Sequence, residues 1–242
     1  MSSLTKFASP ERALVYTPHP DDSELGCGGT IAEWVSSGTI VTYVLCTNGD
    51  KGSSDPDMTS AKLAAIRSEE QEKAARILGV SNVLQLGYAD GFLEDTSEFR
   101  EKIVKAIRTY KPDVVLATDP IRSKFYLHRD HKITGIVVKD ALFPYARDRL
   151  YYPEHEKEGL LSHKTRDLLL WGSESPNAYV DISNTIDIKI KALSMHASQV
   201  APGQTQFQID DAIRNAARRS GDSSNSEYAE VFSCLLYTSP RP

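Results

Sequence analysis

The residues with the most evident chemical potential lie at positions 17–24, which read TPHPDDSE. This stretch places the imidazole of His19 close to the carboxylates of Asp21, Asp22 and Glu24. Zinc binds His nitrogen and carboxylate oxygen, and a catalytic zinc site keeps one position open for water. Because His19 and Asp22 are three residues apart in a tight loop, both side chains can reach one ion. The stretch therefore predicts part of a metal site.

A second polar stretch, LHRDHK, occupies residues 127–132. At the start of a helix, His128 and His131 stand at positions i and i+3 and share one face. One of the two can bind a metal while the other faces a substrate. A single His in a loop is more often a hydrogen-bonded surface residue, and an Asp-Asp pair is usually a turn or a helix cap. Two such stretches, each just after a predicted strand, favour the metal site.

Both stretches follow apolar segments that read as buried strands, at residues 13–16 and 113–118. Ligands of open α/β sheets bind beyond the carboxyl ends of the strands. If these segments belong to one sheet, the two polar stretches arrive at the same edge of it.

The remaining pattern alternates strands with helices. This alternation predicts an α/β fold, a mostly parallel sheet covered by helices on both faces. Further strands are predicted at residues 39–46, 82–86, 167–171 and 178–182, and helices at 25–37, 59–78, 99–107, 133–141, 185–196 and 207–220.

The composition is that of a soluble globular protein, with 242 residues, 40% hydrophobic and 25% charged. A net charge of −5 gives no reason to expect nucleic acid as a partner. The chain has no apolar run long enough for a membrane span and no apolar core of a signal peptide near its start. Its three cysteines are far apart, so a reducing, cytoplasmic setting is expected.

Several segments together resemble the signature of the LmbE-like (PIG-L) family of zinc-dependent N-acetylglucosaminyl deacetylases. The resemblance spans roughly residues 11–200, and its most specific parts are the two His/Asp stretches. It implies a three-layer Rossmann-like fold and hydrolysis of N-acetyl groups from glucosamine-containing compounds. The segments are PHPDDSE at 18–24, GGT at 28–30, CTNGDKG at 46–52, RSEE at 67–70, GYADGFL at 87–93, PDVV at 112–115 and HRDH at 128–131.

Carried over residue by residue, the resemblance assigns roles to the two polar stretches. It implies that His19, Asp22 and His131 are the zinc ligands. Asp21 is implied as the general base, and His128 as the residue that stabilises the oxyanion. Zinc would activate water and polarise the amide carbonyl, although ligand type alone selects weakly among divalent metals.

The resemblance implies further roles outside the metal ligands. Asp130 would support His128, and Arg67 matches a substrate-binding position in some relatives. The alternative for Arg67 is a solvated helix position paired with Glu70. His155 and His163 are expected at the surface. The segment at residues 147–163 aligns with no motif, and its candidates for substrate contact are Tyr151, Tyr152 and Glu154.

Two other functions remain open on the sequence alone. One is a zinc amidase that acts on a thiol-sugar conjugate or another N-acyl substrate. The other is a metal-free nucleotide- or sugar-binding α/β module. In such a module the ligating atoms of His19, Asp22 and His131 would lie more than about 6 Å apart. Atoms that bind one zinc ion lie closer together, because zinc bonds to them are only about 2 Å long. The expected partner is a small N-acetylated sugar, and a homo-oligomer is left open.

The domain prediction is one deacetylase domain over residues 1–233. Residues 234–242, CLLYTSPRP, resemble a translated sequencing adapter and are expected to be a non-native tail.

Overall fold

The computed structural model of the chain describes residues 4–124, 127–199 and 205–236. Its strands are β1 (Thr5–Lys6), β2 (Arg12–Thr17), β3 (Ile40–Thr47), β4 (Asn82–Tyr88), β5 (Val114–Thr118), β6 (Asp167–Trp171), β7 (Ala178–Asp181) and β8 (Ala229–Leu236). Its helices are α1 (Asp22–Ser36), α2 (Ser60–Leu78), α3 (Ser97–Tyr110), α4 (Arg129–Asp140), α5 (Glu154–Lys157), α6 (Ile186–Leu193) and α7 (Gln206–Asp222). Among the helices described, none combines the length and the apolar character needed to cross a membrane.

The described strands form one eight-stranded sheet in the order β1-β7-β8-β6-β5-β2-β3-β4. All neighbours are parallel except β8, which runs antiparallel to both β6 and β7. The predicted three-layer α/β fold with a mostly parallel sheet is confirmed. The short edge strand β1 and the antiparallel β8 were not predicted from the sequence.

Strand β8 extends into the segment expected to be a non-native tail. Cys234 and Leu236 lie opposite Leu169 and Asp167 of β6, so the backbone of residues 234–236 is part of the sheet. Residues 237–242 lie outside the described part of the chain.

Alternate residues of β2 point to the two faces of the sheet, as the pleat of a strand requires. Ala13 and Val15 pack in one core with apolar residues of α1, α2, α6 and α7. Leu14 and Tyr16 pack in a second core with residues of α3 and α4. Strand β2 is therefore buried on both sides, which explains why it reads as a continuous apolar run rather than an alternating one.

Strands β2 and β5 are direct neighbours, with Ala13 opposite Val114 and Val15 opposite Leu116. From β2 the chain continues to β3 and β4 on one side, whereas β5 and β6 lie on the other. The order of the strands thus reverses between β2 and β5, and such a switch point is where ligands bind in this class of fold. The two His/Asp stretches follow these two strands.

The irregular segment after α4 is organised by Arg108 of α3. The guanidinium is fully buried and donates to backbone carbonyls that include Tyr145 O at 3.0 Å and Tyr151 O at 2.8 Å. His155, expected at the surface, is instead fully buried beside Arg108, because this segment folds back over α3. The substrate-contact candidates of this region lie in the same segment. Tyr151 and Tyr152 accept hydrogen bonds from Arg108 through their backbone carbonyls, and Glu154 begins helix α5.

Candidate metal centre

Asp21 and Asp22 are held in the turn between β2 and α1. Helix α1 begins at Asp22, three residues earlier than the apolar pattern predicts, because the first turn is polar. Asp21 precedes it with a φ of 96°, a left-handed conformation that is uncommon for residues other than glycine but more accessible to Asp and Asn. Strained backbone of this kind persists where surrounding contacts hold it, and it is frequent at functional sites.

The side chains of His19, Asp22 and His131 converge at the switch point. Asp22 Oδ2 lies 2.9 Å from His19 Nδ1 and 3.0 Å from His131 Nε2. One ligand atom of each residue lies within 4.8 Å of the others. These separations are shorter than the roughly 6 Å expected of a metal-free binding module. Two imidazoles and one carboxylate match a catalytic zinc site with three protein ligands and one open position.

The other ring nitrogen of His19 faces a second group of carboxylates. His19 Nε2 lies 3.0 Å from Asp130 Oδ2 and 3.1 Å from Asp90 Oδ1. The Asp130 carboxylate also accepts the backbone N–H groups of Gly91 at 2.7 Å and Leu93 at 3.1 Å. Asp130 was expected to support His128, but its carboxylate lies 4.0 Å from His128 Nδ1. Its close contact is with His19.

A second set of possible metal ligands consists of His19, Asp90, His128 and Asp130. In this set the oxygens of Asp130 are already engaged by two backbone N–H groups. An imidazole that binds metal usually donates its other N–H to a carboxylate. Asp130 and Asp90 therefore fit best as acceptors for His19 Nε2–H, which leaves His19 Nδ1 to face Asp22 and His131.

The electrostatics of the site favour a cation. Burial lowers the pKa of His19, but hydrogen bonds with Asp130, Asp22 and Asp90 outweigh it and raise the pKa to about 12. Burial likewise raises the pKa of Asp22, but His131 and His19 hold it well below its usual range. Carboxylates gathered in a buried pocket require positive charge nearby. The donor set therefore fits a divalent cation such as zinc.

Asp21 lies beside this donor set, and Arg67 of α2 contacts it. Arg67 Nη2 lies 3.2 Å from Asp21 Oδ2 and also donates to the carbonyl of Pro20. Arg67 Nη1 donates to Gly49 O at 2.9 Å. Burial, together with the charge of Asp22, raises the pKa of Asp21 to about 7, even though Arg67 opposes the shift. Arg67 is buried and does not pair with Glu70, which instead accepts hydrogen bonds from Ser198.

His128 is the N-cap residue of α4. Its Nδ1 accepts the backbone N–H of Asp130 at 3.2 Å. The proton of a neutral imidazole then resides on Nε2, which lies 3.8 Å from Asp90 Oδ1. Burial and the nearby His19 lower the pKa of His128. His128 is therefore positioned as a neutral Nε2–H donor.

Helix α1 is broken at Cys27, whose φ of −149° is not helical. In a continuous helix Gly29 N–H would bond to Leu25 O. Here Gly29 and Thr30 donate their N–H groups to the carboxylate of Glu230 in β8, at 3.1 and 2.7 Å. Leu25 O accepts from Lys189 Nζ of α6 at 2.7 Å, and Lys189 pairs with Glu230. This buried ion pair satisfies the groups that the break sets free.

A polar cavity of about 440 Å³ opens beside the donor set. Residues that follow β3 and β4, including Lys51 and Asp90, line it together with Asp21, Arg67 and His128. Asp90 and Lys51 lie within recognised motifs, but the sequence assigned them no role. The sequence also assigned no role to Arg122, which lines a cavity together with Asp22 and His131. Its Nε donates to Asp119 O at 3.0 Å and its Nη2 to Trp171 O at 3.2 Å, and no local pattern indicates these contacts.

The chain matches known proteins in both sequence and structure. A family model described as PIG-L, GlcNAc-PI de-N-acetylase, matches residues 14–142. The diacetylchitobiose deacetylase of Thermococcus kodakarensis is 33% identical over 224 residues, which cover 93% of this chain and 83% of that protein. A probable N-acetyl-alpha-D-glucosaminyl L-malate deacetylase 2 of Bacillus anthracis is 30% identical, covering 81% of this chain and 84% of that protein.

A more distant relative has a different activity. The mycothiol S-conjugate amidase of Streptomyces coelicolor is 27% identical, over 84% of this chain and 87% of that protein. Among solved structures, the N,N'-diacetylchitobiose deacetylase of Pyrococcus horikoshii aligns with a TM-score of 0.87 and 31% identity, covering 94% of this chain and 84% of that one.

Proposed function

The chain belongs to the PIG-L (GlcNAc-PI de-N-acetylase) family and is an amide hydrolase of the deacetylase class. We propose that it uses zinc to remove the N-acetyl group of an N-acetylglucosamine-containing small molecule or glycoconjugate. Two of the relatives are named as deacetylases of N-acetylated sugar compounds, diacetylchitobiose and N-acetyl-alpha-D-glucosaminyl L-malate. Members of this family are metalloenzymes in general, and the described residues include groups that can bind a metal.

The convergence of His19 Nδ1, Asp22 Oδ2 and His131 Nε2 carries the proposal. Their separations of 2.9 and 3.0 Å around one carboxylate oxygen suit three ligands of one ion. His19, Asp22 and His131 are therefore assigned as the metal ligands, with Asp130 and Asp90 as acceptors that orient His19. Zinc in such a site supplies a Lewis acid that activates water near neutral pH and polarises an amide carbonyl.

Asp21 is assigned as the general base. It is adjacent to Asp22 in the chain and lines the polar cavity with His19 and His128. Because Arg67 contacts Oδ2 of Asp21, the proton of the attacking water is assigned to Oδ1. A positioned base of this kind contributes about 10²- to 10⁴-fold to the rate.

His128 is assigned to the oxyanion that develops when the amide carbonyl is attacked. The N-cap hydrogen bond with Asp130 N–H places the His128 proton on Nε2, and His128 lines the polar cavity. The charge of the imidazole is not needed for this role, because a neutral N–H donor already stabilises an oxyanion. The lowered pKa of His128 supports the neutral form of the imidazole.

Arg67 is assigned to the sugar side of the site. It lines the polar cavity beside Lys51 and Asp90, where sugar hydroxyls find donors and acceptors. Its contacts with Pro20 O, Gly49 O and Asp21 also hold the turn in place. A change at Arg67 is therefore expected to lower kcat as well as to raise KM.

A substrate panel tests this function. The purified protein, loaded with zinc, is incubated with N-acetylglucosamine linked to inositol, to malate, to a second sugar and to a lipid, and released acetate is quantified. Acetate release from at least one conjugate supports the proposal, with the same protein after chelator treatment as the control. If no conjugate releases acetate under conditions in which zinc is bound, the proposal is wrong.

The second candidate is a zinc amidase that acts on a thiol-sugar conjugate. The similarity to the Streptomyces coelicolor amidase favours it, and the metal site would be the same. A mycothiol-type conjugate in the same panel separates the two: cleavage of its amide without release of acetate from the acetylated sugars would favour the amidase.

The proposal includes a cytoplasmic location. Cys27 and Cys46 are buried and unpaired in the structure, which fits a reducing compartment. The proposed partner is a small N-acetylated sugar.

A further inference from the structure

A second cavity, of about 550 Å³, adjoins the metal centre. It shares Asp21 and Asp22 with the polar cavity. The polar cavity lies on the β3–β4 side of the switch point, because its residues follow those two strands. The second cavity lies on the β6–β8 side, where the ends of those strands and α7 form its walls. The two cavities therefore leave the metal centre in different directions.

The second cavity, termed the acyl cavity below, is lined mainly by apolar side chains. They are Leu25, Trp171, Ile213, Ala216, Ala217, Ala229 and Val231.

Apart from Asp21 and Asp22 at the metal centre, the charged residues in the walls of the acyl cavity are engaged by the protein itself. Lys189 and Glu230 pair with each other and with the broken backbone of α1. Arg122 donates to the carbonyls of Asp119 and Trp171. Beyond Asp21, Asp22 and His131 at the metal centre, a ligand in this cavity thus meets mainly apolar surface. Cavities of about 300–1,000 Å³ with such linings are typical of sites for small apolar ligands.

An amide substrate has two substituents that must leave the metal centre along different paths. The nitrogen carries the sugar, whose hydroxyls match the polar cavity with its Lys51, Arg67 and Asp90. The carbonyl carbon carries the acyl group, which matches the acyl cavity with its larger apolar lining. An acetyl group offers only one methyl there, roughly the size of a water molecule, whose share of liquid volume is about 30 Å³. A methyl group leaves most of the 550 Å³ unfilled.

We infer that the acyl cavity binds an N-acyl chain longer than acetyl, and that the enzyme prefers N-acylglucosamine substrates with medium-length acyl chains. This inference rests on the proposed amide hydrolysis at the same metal centre. The chemistry is unchanged: water adds to the amide carbonyl, the C–N bond breaks, the amine leaves with a proton and a fatty carboxylate takes the place of acetate.

The inference is tested with a series of N-acyl methyl glucosaminides, from acetyl through butanoyl and hexanoyl to octanoyl. Each methylene that is buried in the cavity is expected to raise kcat/KM by about two- to fourfold, until the cavity is filled. Product inhibition gives a second measurement that does not depend on any variant: octanoate is expected to inhibit more strongly than acetate.

Two variants of α7 locate the effect. Ala216 lines the acyl cavity and is exposed, so Ala216→Phe narrows the cavity without a buried clash. It is expected to reduce the ratio of octanoyl to acetyl kcat/KM at least tenfold. Ala212→Phe makes the same change at another exposed position of the same helix, and it is expected to leave this ratio unchanged.

Three results overturn the inference. In the first, kcat/KM falls steadily as the acyl chain grows. In the second, an alkyl glycoside series with a fixed N-acetyl group shows the gain instead, which would assign the cavity to the aglycone. In the third, Ala216→Phe and Ala212→Phe change the ratio equally. None of these affects the proposed function, which fails separately if the acetylated compounds release no acetate.

Discussion

Asp130 Oδ2 accepts a hydrogen bond from His19 Nε2 at 3.0 Å, and this contact determines which nitrogen of His19 can face a metal. With the proton on Nε2, the lone pair of the imidazole is on Nδ1, which points to Asp22 and lies with it in the donor set that includes His131. Asp130 is itself anchored by the N–H groups of Gly91 and Leu93. The orientation of one ligand thus depends on a carboxylate that need not touch the metal.

Asp130→Asn is expected to weaken zinc binding about 10- to 100-fold, the usual effect of losing such a partner of a metal-binding His. Competition with a chelating dye measures the affinity. Asp140→Asn, near the other end of the same helix, is the control and is expected to retain the affinity of the unmodified protein. Equal affinity for Asp130→Asn and the unmodified protein would show that this contact does not orient the ligand.

Asp21→Asn is expected to lower kcat by about 10²- to 10⁴-fold while bound zinc stays at its original level, because the base is lost but the ligands are not. Asn is the suitable replacement, since it tolerates the positive φ of 96° at this position. Steady-state kinetics and metal analysis of the same preparation measure both quantities. A loss of activity that tracks a loss of zinc would assign Asp21 to metal binding instead.

His128 needs two variants, because it both caps α4 and lines the site. His128→Ala removes the cap and is expected to reduce the free energy of unfolding by about 0.5–2 kcal/mol. His128→Asn keeps a capping acceptor but removes the Nε2–H donor. Both variants are expected to lower kcat by about 10²- to 10³-fold. If His128→Asn retained full kcat, the proposed oxyanion role would be wrong and only the capping role would remain.

Lys189→Met is expected to destabilise the protein by about 3–5 kcal/mol, since it leaves the buried carboxylate of Glu230 without its cation. Urea unfolding measures the difference. Lys191→Met changes an exposed lysine of the same helix and is expected to stay within about 0.5 kcal/mol of the original. Similar stabilities for the two variants would show that the ion pair does not hold the break in α1.

Local spacing in the sequence predicted the parts of the site that lie close together in the chain. His19 with Asp22, and His128 with His131, follow buried strands, and the alternation of strands and helices predicted that both pairs reach one edge of a parallel sheet. The structure brings them together at the β2–β5 switch point.

Contacts between distant segments are not indicated by any local pattern in the sequence. Asp130 contacts His19 across 111 positions of the chain and Leu93 across 37, so these contacts depend on how distant loops meet. Glu230 and Lys189 are 41 positions apart, and the strand that carries Glu230 was not predicted. The burial of His155 depends on Arg108, 47 positions away. The sequence near His155 gives no sign of this contact, so it suggests a surface position.

Titration of the metal-free protein with zinc tests whether activity requires one metal ion held by His19, Asp22 and His131. The protein is stripped with a chelator, zinc is added in steps, and the release of acetate from a substrate identified in the panel is followed together with bound metal. We expect negligible activity without metal and a linear rise to full activity at one zinc per chain, with His131→Ala showing neither binding nor activity at these concentrations. Full activity in the metal-free protein, or in His131→Ala, would contradict it.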